Sequence, residues 1–311
     1  MTQTAKKQIG MWVLVALLIV AAFGGGYILA GVSTEEGTTT TTGAITIIDG
    51  IGRTVTIPHT PQRIVSLASS ATETIYALGA GDKVVGRDKY SKYPDEVKEV
   101  PEVGSGSSPN LEMIIGLKPD VLFAWPYSRD ALINLEDEIS VVYIDPGSVN
   151  EVIDTIRMIG LIIGKTSEAE NLTAEMQSRI DAITDITDNL NKTQRPLVYY
   201  ELGTPMKTVG PGTFTNELIF MAGGINLAAD EPVRYPILNS EYIIERNPDV
   251  IVIVSYGASI DEVKNREGWQ NINAVKNDRI YKIDTNLVTS NPRLVQGLEQ
   301  FAKWFHPDLF D

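Results

Sequence analysis

The segment SEYIIERNPDVIVIVS, Ser240 to Ser255, decides the fold, because it repeats an earlier segment, LEMIIGLKPDVLFAWP, Leu111 to Pro126. Both copies contain a short helical pattern, a Pro-Asp pair and then an apolar run. Proline ends a helix and favours extended backbone before it. An unbroken apolar run is typical of a strand buried on both faces of a parallel sheet. One offset of 129 residues relates Asn110 to Asn239, Glu112 to Glu241 and Pro119 to Pro248.

A second repeat lies upstream of each copy. The segment TETIYALGAGD, Thr72 to Asp82, resembles NELIFMAGGIN, Asn216 to Asn226. Each contains a glutamate six residues before a glycine, Glu73 in the first and Glu217 in the second. Two repeats in the same order indicate that the chain contains one structural plan twice.

The length and composition suit two globular domains. The chain has 311 residues, of which 43% are hydrophobic and 21% charged, which is enough apolar material for two cores. The net charge of −14 disfavours a nucleic-acid partner, which would require clustered lysines and arginines. The absence of cysteine excludes disulfides, thiolate metal sites, cysteine nucleophiles and a lipid-modified N-terminal cysteine.

Residues 1–43 predict export, as a membrane anchor or signal segment followed by a Thr-rich linker. Lys6 and Lys7 precede an uncharged stretch, Met11 to Ala30, which is long enough to span a bilayer as a helix. Basic residues before it and acidic residues after it place the remaining chain outside. A cleaved signal peptide is the alternative. Because Ile28 fits poorly at the −3 position of a cut after Ala30, we favour a retained anchor on the extracytoplasmic face of the cell membrane.

From Ala44 onward, short apolar runs alternate with helical patterns, which is typical of a parallel α/β sheet. Between two sets of runs lies a helical pattern of about six turns, Thr166 to Thr187. We therefore expect an α/β fold with two Rossmann-like lobes, residues 44–165 and 191–311, joined by a helix within 166–190, and a ligand cleft between the lobes. The expected strands are Arg63–Ser69, Lys83–Arg87, Asp120–Trp125 and Val141–Asp145, then Pro196–Leu202, Asp249–Ser255 and Arg279–Asp284.

Four stretches, in this order and spacing, resemble a known family: the substrate-binding proteins of ABC importers for metal chelates, closest in motifs to the vitamin B12-binding type. Those proteins take up vitamin B12 and other corrinoids, ferric siderophores and haem. The resemblance extends from Ala44 to the C-terminus. It implies two lobes joined by a rigid helix, no enzymatic activity, a chelate ligand, and permease and ATPase partners. The stretches are Arg63–Pro94, Asn110–Trp125, Asn216–Asn226 and Thr289–Trp304.

The resemblance also implies a role for the repeated glutamates. In this family an acidic residue on each lobe docks onto arginines of the permease. Glu73 matches the first of these by motif, and Glu217 is assigned to the second by its place in the internal repeat. Some members of the family carry the second acid three positions later, where this chain has Phe220. The alternative is that each glutamate is an acid near the start of its helix, favoured by the helix dipole.

A corrinoid or haem needs aromatic walls and a few polar groups. Candidates are aromatic residues at strand ends or in the loops that follow, with arginines for an anionic siderophore. Compared with the B12-binding proteins, Tyr90 and Trp125 match ligand-contacting aromatics, and Tyr235 replaces a tryptophan. The loop GSGSSPN lacks a tryptophan found in those proteins, and DTNLVTSNPR has Asn286 and Thr289 where they carry a tryptophan and an arginine. These differences favour a more polar cleft and a smaller corrinoid. The candidate cleft residues are Tyr90, Trp125, Tyr127, Tyr235, Tyr256 and Arg87.

Catalysis and a bare metal site are both disfavoured by the sequence. The chain has two histidines, His59 and His306, which is too few for a typical zinc site, and neither lies in an HExxH motif. The GxSxG nucleophile turn is absent. The alternative function is an anchored surface module that binds a polymer or cell-wall component without a transporter. In either case we expect a monomer without a resident cofactor.

Overall fold

The computed structural model describes residues 43–310, so the predicted anchor and most of the predicted linker lie outside the described residues. Within this range, no helix is both long and apolar enough to cross a membrane. The strands are β1 Ile45–Ile48, β2 Thr54–Ile57, β3 Ile64–Ser66, β4 Val84–Arg87, β5 Gly104–Ser105, β6 Ser108–Pro109, β7 Val121–Ala124, β8 Ser140–Tyr143, β9 Leu197–Glu201, β10 Ile225–Asn226, β11 Val250–Val254 and β12 Ile280–Ile283. The helices are α1 Ser69–Ala77, α2 Leu111–Gly116, α3 Arg129–Leu132, α4 Val149–Ile163, α5 Thr166–Thr187, α6 Phe214–Met221, α7 Ser240–Arg246, α8 Ile260–Lys264, α9 Asn273–Lys276 and α10 Leu294–Phe305.

Two four-stranded parallel sheets form the centres of the two lobes. The first has the order β4-β3-β7-β8 and the second the order β10-β9-β11-β12. In each sheet the first strand in sequence lies second in space, so the two sheets have the same topology. Every strand predicted from an apolar run is present, and the predicted α/β class is confirmed. Two antiparallel pairs, β1-β2 and β5-β6, lie outside these sheets.

The sequence repeat is reproduced in hydrogen bonds at the starts of α2 and α7. The Asn110 side chain accepts a hydrogen bond from the Met113 N–H at 3.0 Å, and Asn239 accepts one from the Tyr242 N–H at 2.7 Å. Each asparagine thereby satisfies a backbone N–H that has no partner within the helix. The repeated asparagines are helix caps.

The repeated Pro-Asp pair also has a structural role. The Asp120 carboxylate accepts hydrogen bonds from the N–H groups of Gln62 and Arg63, just before β3. The Asp249 carboxylate likewise accepts one from the Leu197 N–H at the start of β9. In each lobe the aspartate therefore fixes the start of a central strand against its neighbour.

The long helix predicted from residue spacing is α5, and the structure adds α4 to the connection between the lobes. The first turns of α4 pack into the core of the second lobe, where Val149, Val152 and Ile156 are buried. Its last turns, including Ile159 and Ile162, pack into the core of the first lobe. Helices α4 and α5 cross closely at Gly160, where an added Cβ would lie 2.4 Å from the Ala169 Cβ. The lobes are therefore joined by a pair of helices that belongs to both cores.

Candidate functional site

The candidate aromatic residues lie at the carboxyl ends of strands in both sheets. Tyr90 follows β4, Tyr127 follows β7 and Tyr256 follows β11, while Tyr235 lies in the loop between β10 and α7. All four side chains are exposed, by between 48% and 67%. Because the ligands of open α/β sheets bind at the carboxyl edge, these tyrosines are placed where a cleft is expected.

In the first lobe, Tyr127 lies close to Asp88 and Tyr90. Partial burial raises the pKa of Tyr127, and the charges of Asp88 and Tyr90 raise it further. The ring packs over Gly106, where an added Cβ would lie 2.9 Å from the ring and from its hydroxyl. The Lys89 ammonium lies 4.8 Å from the centre of the Tyr90 ring. This side of the site therefore combines two exposed phenols with one cation.

In the second lobe, Tyr235 and Tyr256 both lie near the buried Tyr200. Burial raises the pKa of Tyr200, and Tyr256 and Tyr235 raise it further. The Tyr256 ring packs on Gly203, where a Cβ would be 2.2 Å from the ring. The Tyr235 ring lies 5.9 Å from the Arg234 guanidinium and 6.0 Å from the Lys207 ammonium.

The two lobes meet beside these tyrosines. The Arg234 guanidinium of the second lobe lies 3.9 Å from the carboxylate of Asp145, which follows β8 of the first lobe. Both side chains are partly exposed, so this ion pair is screened by solvent. An added Cβ at Gly147 would lie 3.4 Å from the Gly212 carbonyl oxygen, which shows how closely the backbones approach.

Trp125 and Arg87 are more enclosed than the tyrosines. The Trp125 ring is partly buried and packs against the core of the first lobe. The Arg87 guanidinium donates hydrogen bonds to the carbonyl oxygens of Val100 and Asp88, each at 3.1 Å, and lies 3.7 Å from the Glu102 carboxylate. It thereby holds the loop after β4 against the lobe. A ligand role for Arg87 would require it to release these contacts.

Both candidate docking glutamates contact other parts of the chain. Glu73, in the second turn of α1, is only 6% exposed and accepts hydrogen bonds from Nε and Nη2 of Arg293, which precedes α10 in the second lobe. Burial raises the pKa of the Glu73 carboxyl, and the Arg293 guanidinium opposes that rise. Glu217, in the first turn of α6, accepts a hydrogen bond from the Val149 N–H at 2.6 Å.

Sequence reasoning missed Arg293 as a functional residue, although it lies inside the last of the recognised motifs. Its partner Glu73 is 220 residues away, so no local pattern links the two. The one sequence feature that could have pointed to it is the stretch Thr289–Trp304, which resembles the family and contains Arg293 immediately before α10.

A concavity of about 520 Å³ lies elsewhere on the first lobe. Residues of β2 and the segment Glu136–Val141 line it. This segment leads into the amino end of β8, so the concavity lies away from the carboxyl edge and from the tyrosines. Residues 43–310 also contain no cluster of three or more His, Cys, Asp or Glu side chains that could hold a metal ion.

The fold and its exposed aromatic edge agree with comparisons to known proteins. Residues 64–287 match the family described as Periplasmic binding protein. The chain belongs to this family. Membership confirms the resemblance found in the sequence and the prediction that this periplasmic binding protein is not an enzyme. It also indicates an extracytoplasmic location for the binding lobes.

Three relatives illustrate the similarity of this periplasmic binding protein to others. An uncharacterized ABC transporter substrate-binding lipoprotein of Bacillus subtilis is 37% identical over 98% of this chain and 99% of its own length. A cobalamin-binding protein of Halobacterium salinarum is 31% identical over 84% of this chain and 74% of its own. The solved structure of the periplasmic heme-binding protein RhuT from Roseiflexus is 28% identical, with a TM-score of 0.71 over 79% of this chain and 98% of its own.

Proposed function

We propose that this periplasmic binding protein captures a metal chelate between its two lobes and delivers it to an ABC importer made of permease and ATPase subunits. The observation that carries the proposal is the set of four exposed tyrosines at the carboxyl edges of both sheets. A group of exposed aromatic side chains at one edge marks a surface suited to ligand binding, and a flat chelate offers the apolar surface that would cover the rings. The alternative of a surface module without a transporter has no support from the relatives described above.

A corrinoid is the first ligand class that we propose. The cobalamin-binding relative supports it, and tyrosines suit a corrinoid because their rings pack on the macrocycle while their hydroxyls reach its amide edges. The more polar loops of this chain favour a smaller corrinoid over cobalamin itself.

An anionic chelate, such as haem or a ferric siderophore, is the second candidate. Three cations stand beside the tyrosines: Lys89 next to Tyr90, and Lys207 and Arg234 near Tyr235. Cations placed beside aromatic rings suit a ligand that has both an apolar body and carboxylate or catecholate groups. The heme-binding structural relative supports this class.

Two further parts of the proposal concern partners. We assign permease docking to Glu73 and Glu217, on the basis of the repeat and the family resemblance. We also propose that residues 11–30 anchor the monomeric chain in the membrane. The B. subtilis relative is named a lipoprotein, whereas this chain has no cysteine for a lipid to modify, so an apolar helix would replace the lipid.

Calorimetric titration of the full chain in detergent tests the proposal, using cobinamide, cyanocobalamin, haem and a panel of ferric siderophores. We expect one-to-one binding of one class. Tyr127→Ala in the first lobe and Tyr256→Ala in the second should each weaken it by about tenfold or more, since each removes an aromatic contact.

Tyr242→Ala is the matched control, because Tyr242 lies on α7, which leads into the amino end of β11. It should leave the affinity unchanged. No binding across the panel would overturn the chelate proposal. Binding that neither cleft variant weakens would overturn the placement of the site.

A further inference from the structure

The ion pair between Glu73 and Arg293 joins the two lobes, and together with Tyr93 we call it the interlobe latch. Arg293 immediately precedes α10 of the second lobe, while Glu73 lies on α1 of the first. Nε and Nη2 of Arg293 donate hydrogen bonds to the two carboxylate oxygens of Glu73 at 2.5 and 2.6 Å. Its guanidinium also lies 3.9 Å from the centre of the Tyr93 ring. Two side chains of the first lobe therefore hold one arginine of the second.

Glu217, the equivalent acid of the second lobe, makes a different kind of contact. Its partner is the Val149 N–H at the start of α4, where the helix dipole favours a carboxylate. Val149 is itself buried in the core of the second lobe. This hydrogen bond therefore fixes a segment that already packs in place, and separation of the lobes need not break it. Of the two acids, Glu73 makes the contact that depends on how the lobes are arranged.

A second two-point ion pair, made by Nη1 and Nη2 of its arginine, shows by contrast what is special about Glu73. Within the second lobe, Arg266 forms a two-point contact with the buried Glu201 and lies 4.6 Å from the Trp269 ring. Glu201 also accepts hydrogen bonds from the Tyr199 hydroxyl and the Met206 N–H. Among residues 43–310, Glu73 receives hydrogen bonds from Arg293 alone. The Glu73 charge thus depends on a single guanidinium, which another guanidinium could replace with the same geometry.

We propose that the interlobe latch holds the two lobes together, and that lobe closure and partner docking compete for the Glu73 carboxylate. With the latch closed, Glu73 is buried and occupied. A partner arginine that binds Glu73 therefore displaces Arg293 and releases the second lobe. The competition rests on the docking role proposed above, whereas the latch rests on the contacts within the chain.

Distance measurements between spin labels test the latch in the full chain. The chain has no cysteine, so Glu112→Cys and Glu241→Cys give one label per lobe at exposed, equivalent positions of the repeat. Adding Arg293→Met should lengthen the mean distance by more than about 2 Å and broaden its distribution. Arg266→Met is the matched control: it breaks the corresponding pair inside one lobe and should leave the distance unchanged.

Arg293→Lys keeps the charge and loses the two-point geometry, so it should give an intermediate distance. It also provides the readout if Arg293→Met does not fold. An unchanged distance in the folded Arg293 variants would overturn the latch, and so would an equal increase in Arg266→Met.

A tri-arginine peptide tests the competition, with tri-lysine at the same concentration as the control for ionic screening. Tri-arginine should lengthen the distance in the parent chain and have no further effect in Arg293→Met. If tri-arginine lengthened the distance no more than tri-lysine does, or not at all, the proposed competition for Glu73 would be overturned. These measurements need no chelate. A failure of every chelate to bind would therefore refute the proposed function and leave the latch proposal unaffected.

Discussion

Lys118 and Asn247 are related by the same offset as the rest of the repeat, and both have left-handed backbone. Their φ angles are 48° and 50°, and each immediately precedes the proline of the Pro-Asp pair. In both residues the Cβ crowds the following carbonyl oxygen, but the short polar side chain of asparagine offsets this cost by hydrogen-bonding locally, which lysine does not do. Asn247 also accepts a hydrogen bond from the Asn273 N–H. The second lobe therefore has a better residue at this position than the first.

Lys118→Asn should accordingly raise the free energy of unfolding by about 1 kcal/mol, because it relieves the left-handed strain. Lys118 is exposed, so little packing is lost with its side chain. Urea denaturation of the full chain measures the change. Lys118→Ala has no polar side chain to hydrogen-bond locally and should give no comparable gain. Equal gains in the two variants would show that the backbone conformation is not the cause.

The positions of some candidate residues could be predicted from the sequence, because they follow recognisable strands. Tyr90, Tyr127 and Tyr256 lie within three residues of the ends of β4, β7 and β11, and all three are exposed at the carboxyl edges. No comparable sequence pattern indicates which way an individual side chain points. Nothing in the sequence around Arg87 shows that its donors turn to backbone carbonyls in its own lobe. Whether these residues contact a ligand remains a prediction.

At the scale of elements, the strands and α5 were predictable and the packing of α4 was not. Parallel strands give continuous apolar runs, and α5 has a single apolar face. Helix α4 is apolar on most of its faces, since it is buried in two cores at once. A sequence shows that such a helix is buried, but not which of two lobes covers each turn.

The caps of α2 and α7 give a prediction at this scale. Asn110→Ala and Asn239→Ala should each lower the free energy of unfolding by about 1 kcal/mol, because each leaves a helix N–H without a partner. The double variant should show nearly the sum, as the sites are in different lobes. Chemical denaturation monitored by circular dichroism measures all three.

The Asn→Asp variants are the controls, since aspartate caps helices as well as asparagine does. They should match the parent protein. A loss as large with aspartate as with alanine would mean that the asparagines act through their amide groups and not as caps.

At the scale of the whole molecule, the two-lobed fold could be predicted from the repeat. The contacts between the lobes could not, because they join residues far apart in the chain. The latch joins residues 220 positions apart, and the Arg234–Asp145 pair also connects different lobes. Such pairs follow from how complete lobes dock. Charge type and local spacing do not specify them, which is why the sequence predicted two lobes with a cleft between them but not the contacts that join the lobes.

The pH dependence of stability should reflect His306, at the end of α10. Burial lowers the pKa of His306 below its ordinary value of 6.5, and the charges of Arg279 and Arg195 lower it further. The unfolded chain therefore takes up this proton first as the pH falls below 6.5. Stability is lost from there down to the folded pKa, by at most about 1.4 kcal/mol per pH unit.

His306→Gln should reduce the loss of unfolding free energy between about pH 7 and 5.5, measured by urea denaturation at several pH values. His59→Gln is the control, because His59 is the other histidine of the chain and is exposed. An equal effect of the two substitutions would show that burial of His306 is not the cause.

The order of the strands along the chain has a consequence for how the protein emerges from the membrane. Every strand of the first sheet precedes α5, and every strand of the second follows it. The leading half of the polypeptide can therefore complete its own sheet during translocation, before the trailing half has arrived. Until that later segment follows, Glu73 remains without Arg293. The pairing of Glu73 with Arg293, and with it the joining of the two lobes, therefore comes late, after most of the chain has crossed the membrane.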